Sequence, residues 1–370
     1  YVLADYPVLI QIARIGGVAL VSFAVVLANA LVAESMLALV QRRNRRVLGC
    51  LAGAILVVAA LGIDGVTTIR TGASESPRTM RVAAVQPNID AEEKWTPAFK
   101  SKAIDILMDL TREAAGANGE PPDLAVWPET SVPVYVRQEY LYYRRLVQFV
   151  REVDLSVLFG FPNAEYDQER GEYVYFNAGL LLAPDGTEAG EYRKMHLVPF
   201  GERLPLEDRF EWIANLDLGQ ANFAPGTEAK VMGAAGTGYF GTTICFEAIF
   251  PAVCRPFVLN GAEYLVNLTN DAWFGMTAAP SQHADMARFR AIELGVPFVR
   301  SANTGISFIC DSFGRVLSQV PLGESGVAVA TISPSRRTTF YRTYGEWFPR
   351  SVLAGTVLLG ALAAFRGRKL

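Results

Sequence analysis

The chain has 370 residues, of which 51% are hydrophobic and 19% charged, and its mean hydropathy is +0.21. That composition excludes a disordered chain and is greasier than that of a typical soluble enzyme. The net charge of −3 is unevenly spread: residues 64–350 hold 26 Lys+Arg against 35 Asp+Glu, or −9, while 1–63 and 351–370 carry +3 each, so nucleic-acid binding has no electrostatic support.

From Ile15 to Ala33 the chain runs 19 residues without a formal charge, and apolar character resumes after Glu34 as far as Val40. This length suffices to cross a bilayer. The cluster Gln41-Arg42-Arg43-Asn44-Arg45-Arg46 follows, then a second uncharged run of 17 residues, Val47 to Ile63. A membrane hairpin is expected over residues 1–63, with spans at about 8–33 and 47–63. Arg14, near the end of the first span, is expected to snorkel to the interface. Because the chain starts at Tyr1 and turns apolar almost at once, an N-terminal portion is expected to be missing.

A polar linker, 64–78, leads into a region that alternates strand-like and helix-like runs, the pattern of an α/β domain. In chain order the expected elements are strand 81–86, helix 98–115, strand 123–127, helix 139–153, strands 156–160, 175–182 and 238–244, helix 247–260, strand 264–268, helix 281–294 and strands 298–302, 307–310 and 326–332. No internal repeat is evident. A third apolar run, Ser351 to Phe365, is flanked by Trp347 and Phe348 before it and Arg366, Arg368 and Lys369 after it, which read as interface anchors. A C-terminal span with a basic cytoplasmic tail is expected over 346–370. Basic clusters mark the cytoplasmic side, so 41–46 and 366–369 agree on a topology that puts the region between Asp64 and Arg350 on the opposite face. For each run the plainer alternative is a buried core helix.

Cys50, Cys245, Cys254 and Cys310 are too few for a disulfide scaffold and form no CxxC pair, so no structural metal is expected. Three expected strands end in polar residues that a core would not need: Trp127-Pro128-Glu129-Thr130, Ile244-Cys245-Phe246-Glu247 and Asn267-Leu268-Thr269-Asn270-Asp271. In α/β sheets the ligand crevice lies outside the carboxyl ends of the strands. A fourth segment, Tyr192 to Glu202, packs Arg193, Lys194, His196 and Glu202 into an aperiodic loop.

Cys245 stands between a strand and a helix that starts with an acid, where backbone N–H groups lower a thiol pKa and serve an oxyanion. Glu129 would take the thiol proton and Lys194 would stabilise a tetrahedral intermediate, a set sufficient for acyl transfer. Taken singly, each has a plainer reading: Cys245 as a small core hydrophobe, Glu129 and Lys194 as solvated charges. His196 and His283 read as structural hydrogen-bonding residues, with a Cys245–His196 pair as the rival arrangement.

Together with Lys194-Met195-His196-Leu197-Val198-Pro199-Phe200-Gly201-Glu202, Asn267 to Gly275 and Arg300-Ser301-Ala302-Asn303-Thr304-Gly305-Ile306-Ser307, these motifs resemble the nitrilase (carbon–nitrogen hydrolase) superfamily, and within it the membrane-embedded branch of apolipoprotein N-acyltransferases. The resemblance implies a nitrilase-like αββα sandwich over 79–345, flanked by transmembrane helices. It implies a catalytic triad of Glu129, Lys194 and Cys245, supported by Glu202, Phe246, Glu247 and Trp273, with no cofactor and no metal. Phe246 stands where this branch commonly has Tyr. Phe246 and Trp273 are expected to line the site and keep water from a thioester.

The implied reaction takes an acyl chain from a membrane phospholipid onto Cys245, then passes it to the α-amine of a diacylglyceryl apolipoprotein. The implied setting is the bacterial inner membrane, multi-pass, with the catalytic region periplasmic. A membrane-anchored amidase and a non-enzymatic binding protein are the alternatives.

Overall fold

The computed structural model describes residues 1–72, 78–90, 97–116, 120–169, 171–205, 209, 221–335 and 337–367. The chain divides into two units, one formed by Tyr1–Glu75, Ile292–Gly295 and Arg337–Leu370, the other by Ser76–Ala291 and Val296–Arg336. Residues 337–345, expected with the catalytic region, fall in the first.

In the first unit, α1 spans Ala13–Val40 and α2 spans Asn44–Gly72. α1 is broken at Gly16 and Gly17, and Gly17 sits at φ +67 with Tyr341 Cε2 2.5 Å from where a Cβ would stand. The helix restarts at Val18, whose N–H donates to Glu293 Oε1 at 2.9 Å, satisfying a group that a helix start leaves free. Arg14 pairs across the hairpin: its Nη1 and Nη2 each lie 2.7 Å from an oxygen of Asp64, a charge-assisted contact that neutralises both groups.

The segment expected as a linker is helical as far as Gly72, and residues 73–77 lie outside the described set. Its threonine hydroxyls are satisfied inside the helix: those of Thr67 and Thr71 donate to the carbonyls of Ile63 and Thr67.

The second unit holds two six-stranded mixed sheets. β1 (Met80–Gln86), β2 (Leu124–Val126) and β3 (Ser156–Asp167) run parallel, and β4 (Glu172–Leu182) and β5 (Glu188–Arg193) continue antiparallel. The second sheet pairs β6 (Val231–Met232) antiparallel to β7 (Phe240–Ile244). β7, β8 (Tyr264–Thr269) and β9 (Phe298–Ala302) are parallel, and β10 (Ser307–Cys310) and β11 (Val316–Val320) antiparallel. β12 (Gly326–Ile332) returns to pair with β1, giving the orders β12-β1-β2-β3-β4-β5 and β11-β10-β9-β8-β7-β6.

Strands β1, β2, β7, β8 and β9 are buried almost throughout, which is why they read as apolar runs rather than alternating ones. α3 (Pro97–Gly116) and α4 (Tyr140–Val153) cover the first sheet. Leu146, Phe149 and Val150 of α4 fall on one helical face and join Ile104, Leu107 and Met108 of α3 over Trp127, Phe159 and Leu180. α5 (Pro251–Leu259) lays Phe257 on Gly241 of β7, and α6 (Ala279–Leu294) follows β8. The result is an αββα sandwich.

The unexpected strands β5, β6 and β11 lie at or next to sheet edges. β5 is mostly polar, β6 has only two residues, and Val316-Leu317-Ser318-Gln319-Val320 of β11 does not alternate, so none carries a strand signal.

α7 (Phe340–Tyr344) and α8 (Trp347–Gly367) close the chain in the first unit. The side chain of Arg366 and all of residues 368–370, expected as the basic tail, lie outside the described set. α1, α2 and α8 are long and apolar enough to cross a membrane, and they leave Phe23, Val26, Met36, Leu56, Ile63, Leu353 and Leu359 exposed. Such apolar area on the outside of helices suits lipid rather than water.

Candidate active site

Glu129, Lys194 and Cys245 each sit just past the end of a strand: β2 for Glu129, β5 for Lys194, β7 for Cys245. Lys194 is 1% exposed, with Nζ 2.8 Å from Glu202 Oε1 and 3.6 Å from Glu129 Oε1. Asn177 on β4 ties the carboxylates together, its Nδ2 donating to Glu129 Oε1 at 2.8 Å and to Glu202 Oε1 at 2.9 Å. Burial pulls the Lys194 ammonium towards neutrality, but Glu129, Cys245 and Glu202 outweigh it, and its pKa is raised above the usual lysine range. It is a fixed cation in a dry place.

Cys245 occupies the left-handed region at φ +53, a conformation that costs a non-glycine residue of order 1–3 kcal/mol and is held only by its surroundings. Burial and the Glu129 carboxylate push its thiol up to about 12, against the opposing pull of Lys194. This corrects the expectation of a thiol acidified by a helix start. The turn after β7 is a five-residue 3-10 helix, Cys245–Ile249, and its few amides do not offset desolvation beside a carboxylate. Cys245 therefore rests as a thiol, with the Glu129 carboxylate near enough to act on it electrostatically.

Glu247 is fully buried and organises both segments. Its Oε2 accepts from Ile244 N–H at 2.8 Å, and its Oε1 accepts from Met195 and His196 N–H at 2.8 Å each. Tyr192 O–H lies 2.9 Å from both oxygens. Burial still raises this carboxyl's pKa. The loop that carries Lys194 is thus pinned to the turn that carries Cys245. Glu202 does the same within its own loop, accepting from Val198 N–H at 2.8 Å.

A third element joins motif residues to which the sequence assigned no mutual contact. Arg300 on β9 is fully buried and donates from Nη1 to Asn267 Oδ1 at 2.6 Å and from Nη2 to Asp271 Oδ2 at 2.7 Å. Asp271 Oδ1 lies 2.9 Å from His283 Nδ1. Burial raises the Asp271 carboxyl, but Arg300 and His283 outweigh it and hold it below the usual range. Burial, then Arg300, depress His283, which is neutral. The available signal was one arginine inside an otherwise apolar strand, Phe298-Val299-Arg300.

Phe246 is half-buried, its ring edge-on to Phe250 at 5.1 Å and 6.2 Å from His283. Trp273 is 85% exposed. It sits on the short 3-10 turn Ala272–Phe274, and it is Phe274 that packs towards His283 at 6.2 Å. His196 is exposed, with its ring 4.5 Å from that of Phe250. Among the described residues no group of three or more His, Cys, Asp or Glu side chains could hold a metal.

The carbon-nitrogen hydrolase family profile matches residues 81–342. The chain is 37% identical over 359 residues to an apolipoprotein N-acyltransferase of Geobacter metallireducens, covering 96% of this chain and 67% of that protein. It is 35% identical to one of Chlorobaculum tepidum, covering 79% and 58%, and 33% identical to one of Vibrio cholerae, covering 92% and 65%. It thus spans about two thirds or less of these relatives' lengths. In fold it is similar to a carbon-nitrogen hydrolase from Helicobacter pylori, with a TM-score of 0.54 at 18% identity over 72% of this chain and 94% of that one. An amidase from Nesterenkonia has a TM-score of 0.51 at 19% identity over 70% and 91%. The chain belongs to the carbon-nitrogen hydrolase family, in its apolipoprotein N-acyltransferase branch.

Proposed function

We propose that this protein is a membrane acyltransferase that carries an acyl chain on Cys245 between a phospholipid and the α-amine of a diacylglyceryl apolipoprotein. The observation that carries the reading is a buried lysine 3.6 Å from Glu129, in electrostatic contact with a thiol that must be deprotonated in place. The relatives' names supply the substrate classes.

Glu129 takes the Cys245 proton as the sulfur attacks the ester carbonyl, and the ammonium of Lys194 stabilises the oxyanion. Collapse breaks the ester C–O bond, and the proton on Glu129 goes to the departing glycerol oxygen, releasing a lysophospholipid. The acceptor amine then attacks the thioester and gives a proton to Glu129. The C–S bond breaks, leaving an amide and restoring the thiol. Two substrates thus use one site in turn.

Three apolar helices and a basic 41–46 loop support a multi-pass inner-membrane protein with the catalytic unit on the periplasmic side. Phospholipid and lipid-anchored acceptor both reside in that membrane.

The test is intact mass spectrometry in phospholipid micelles without acceptor, comparing wild type with Cys245→Ala. A fatty-acyl increment on wild type alone, discharged by a diacylated lipopeptide, is expected. A folded protein that gains no increment but hydrolyses small amides would replace this reading with a membrane-anchored amidase.

A further inference from the structure

The turn that carries Cys245 is held from the side by a row of polar side chains across three parallel strands. In register, Thr243 of β7 faces Asn267 of β8, and Asn267 faces Arg300 of β9. Asn267 Nδ2 lies 3.1 Å from the carbonyl oxygen of Cys245 and 3.2 Å from both the carbonyl and hydroxyl oxygens of Thr243. Its Oδ1 accepts from Arg300 Nη1, whose other arm, Nη2, holds Asp271.

All four side chains are buried. An arginine without its counter-charge, or an amide without its partners, would be expensive there. A purely structural sheet layer could be filled by apolar residues, as the neighbouring Val266, Leu268 and Val299 are.

We propose that Arg300 and Asn267 are positioning residues for the nucleophile, with Arg300 orienting the Asn267 amide so that it anchors the Cys245 carbonyl and keeps the turn at φ +53. The inference rests on the reading of Cys245 as the nucleophile.

The geometry explains why the cation is an arginine. Two acceptors lie in different directions, Asn267 Oδ1 from the strand and Asp271 Oδ2 from the following loop, and the planar guanidinium meets both. It also neutralises Asp271, whose charge acts on the Cys245 thiol. A lysine would supply the charge as a single point and satisfy one acceptor at the expense of the other. Aspartate at 267 would keep the size and the Arg300 contact but lose the N–H donors towards Cys245 and Thr243.

The experiment follows alkylation of Cys245 by iodoacetamide as a function of pH, read site by site by mass spectrometry of the whole protein in detergent, for wild type, Arg300→Lys and Asn267→Asp. Folding is checked by thermal melting, and the kcat against KM split for acyl transfer is measured alongside. Both folded variants are expected to alkylate at least tenfold more slowly, with the pH profile displaced upwards and transfer lost in kcat rather than KM.

Wild-type rates and an unchanged profile in the folded variants would overturn the inference. Loss of fold in both would overturn it too, because the row would then be a requirement of the sheet rather than of the nucleophile. Failure of wild-type Cys245 to react at any pH while other thiols do would instead remove the nucleophile reading beneath it.

Discussion

Glu202 Oε1 stands 2.8 Å from Lys194 Nζ, and both groups are almost entirely shielded from water. At 3.6 Å, Glu129 is the looser of the two partners of the same ammonium. Glu202 thus takes the closer contact with Lys194, and Glu129 holds the looser one. In Glu202→Gln the amide oxygen can accept from Lys194 and Asn177 as Oε1 does, but an NH2 replaces the Oε2 that accepts from Val198, and the ammonium keeps one carboxylate only and draws Glu129 towards it. Acyl transfer is expected to fall ten- to a hundredfold in kcat with little change in KM, and stability to fall by about 1–3 kcal/mol. Steady-state kinetics and thermal melting read the two effects, and a wild-type kcat would show that Glu202 does not keep Glu129 available.

Replacing Glu129 by Gln acts on Cys245 in two opposite directions. Burial and the Glu129 charge both hold the thiol up, so removing the charge lowers the thiol pKa while burial keeps it above the ordinary value. Alkylation of Cys245 by iodoacetamide is expected to become faster near neutral pH. Acyl transfer, which needs a proton acceptor and later a donor, is expected to drop by about 10²–10⁴. If alkylation slowed instead, the carboxylate would not be what suppresses the resting thiolate.

Gly160 on β3 sets the position of Glu129 from beneath. A Cβ there would stand 2.5 Å from Thr130 N, 2.6 Å from Pro128 O and 2.8 Å from Glu129 Cα. These are backbone atoms of a segment already strained at Thr130, φ +47. Gly160→Ala must displace that segment at a cost of about 1–3 kcal/mol. Moving a reacting group by an ångström lowers rate on the order of a hundredfold. A variant that melts a few degrees lower yet keeps full kcat would mean that the Glu129 segment yields without consequence.

Which parts of this arrangement were legible in the sequence follows from how each is built. The ends of β2, β7 and β8 were readable because polar residues interrupt apolar runs at Glu129, Cys245 and Asn267 to Asp271. Lys194 lies in a segment without a period, and the signal there was the crowding of Arg193, Lys194, His196 and Glu202. Glu247 looked like an acid at a helix start, whereas the amides it holds at Met195 and His196 come from fifty residues earlier. No local rule connects such positions. The same holds for Arg14, whose partner Asp64 is set by the packing of two helices. Spacing placed the turn at Ala272–Phe274 but did not tell that Phe274, rather than Trp273, would meet the His283 ring.

The His283–Asp271–Arg300 cluster gives the catalytic unit an acid-sensitive window. His283 is held neutral, its pKa depressed first by burial and then by Arg300. On acidification the unfolded chain takes up a proton at the ordinary histidine value of about 6.5, while the folded chain does not until lower pH. The contribution is therefore complete above about pH 6.5 and declines as pH falls below it, by about 1.4 kcal/mol per unit of pKa depression. Asp271 adds a second, lower window. Its pKa is depressed, so its contribution is present above about 3.9 and lost as the pH drops further. In His283→Asn the side-chain amide replaces the Nδ1–H donor to Asp271 without a titrating group. Thermal midpoints at pH 7.5, 6 and 5 should fall more steeply for wild type than for His283→Asn, and both should fall together below pH 4. Parallel curves between pH 7.5 and 5 would mean that His283 titrates normally in the fold and that Arg300 does not govern its charge.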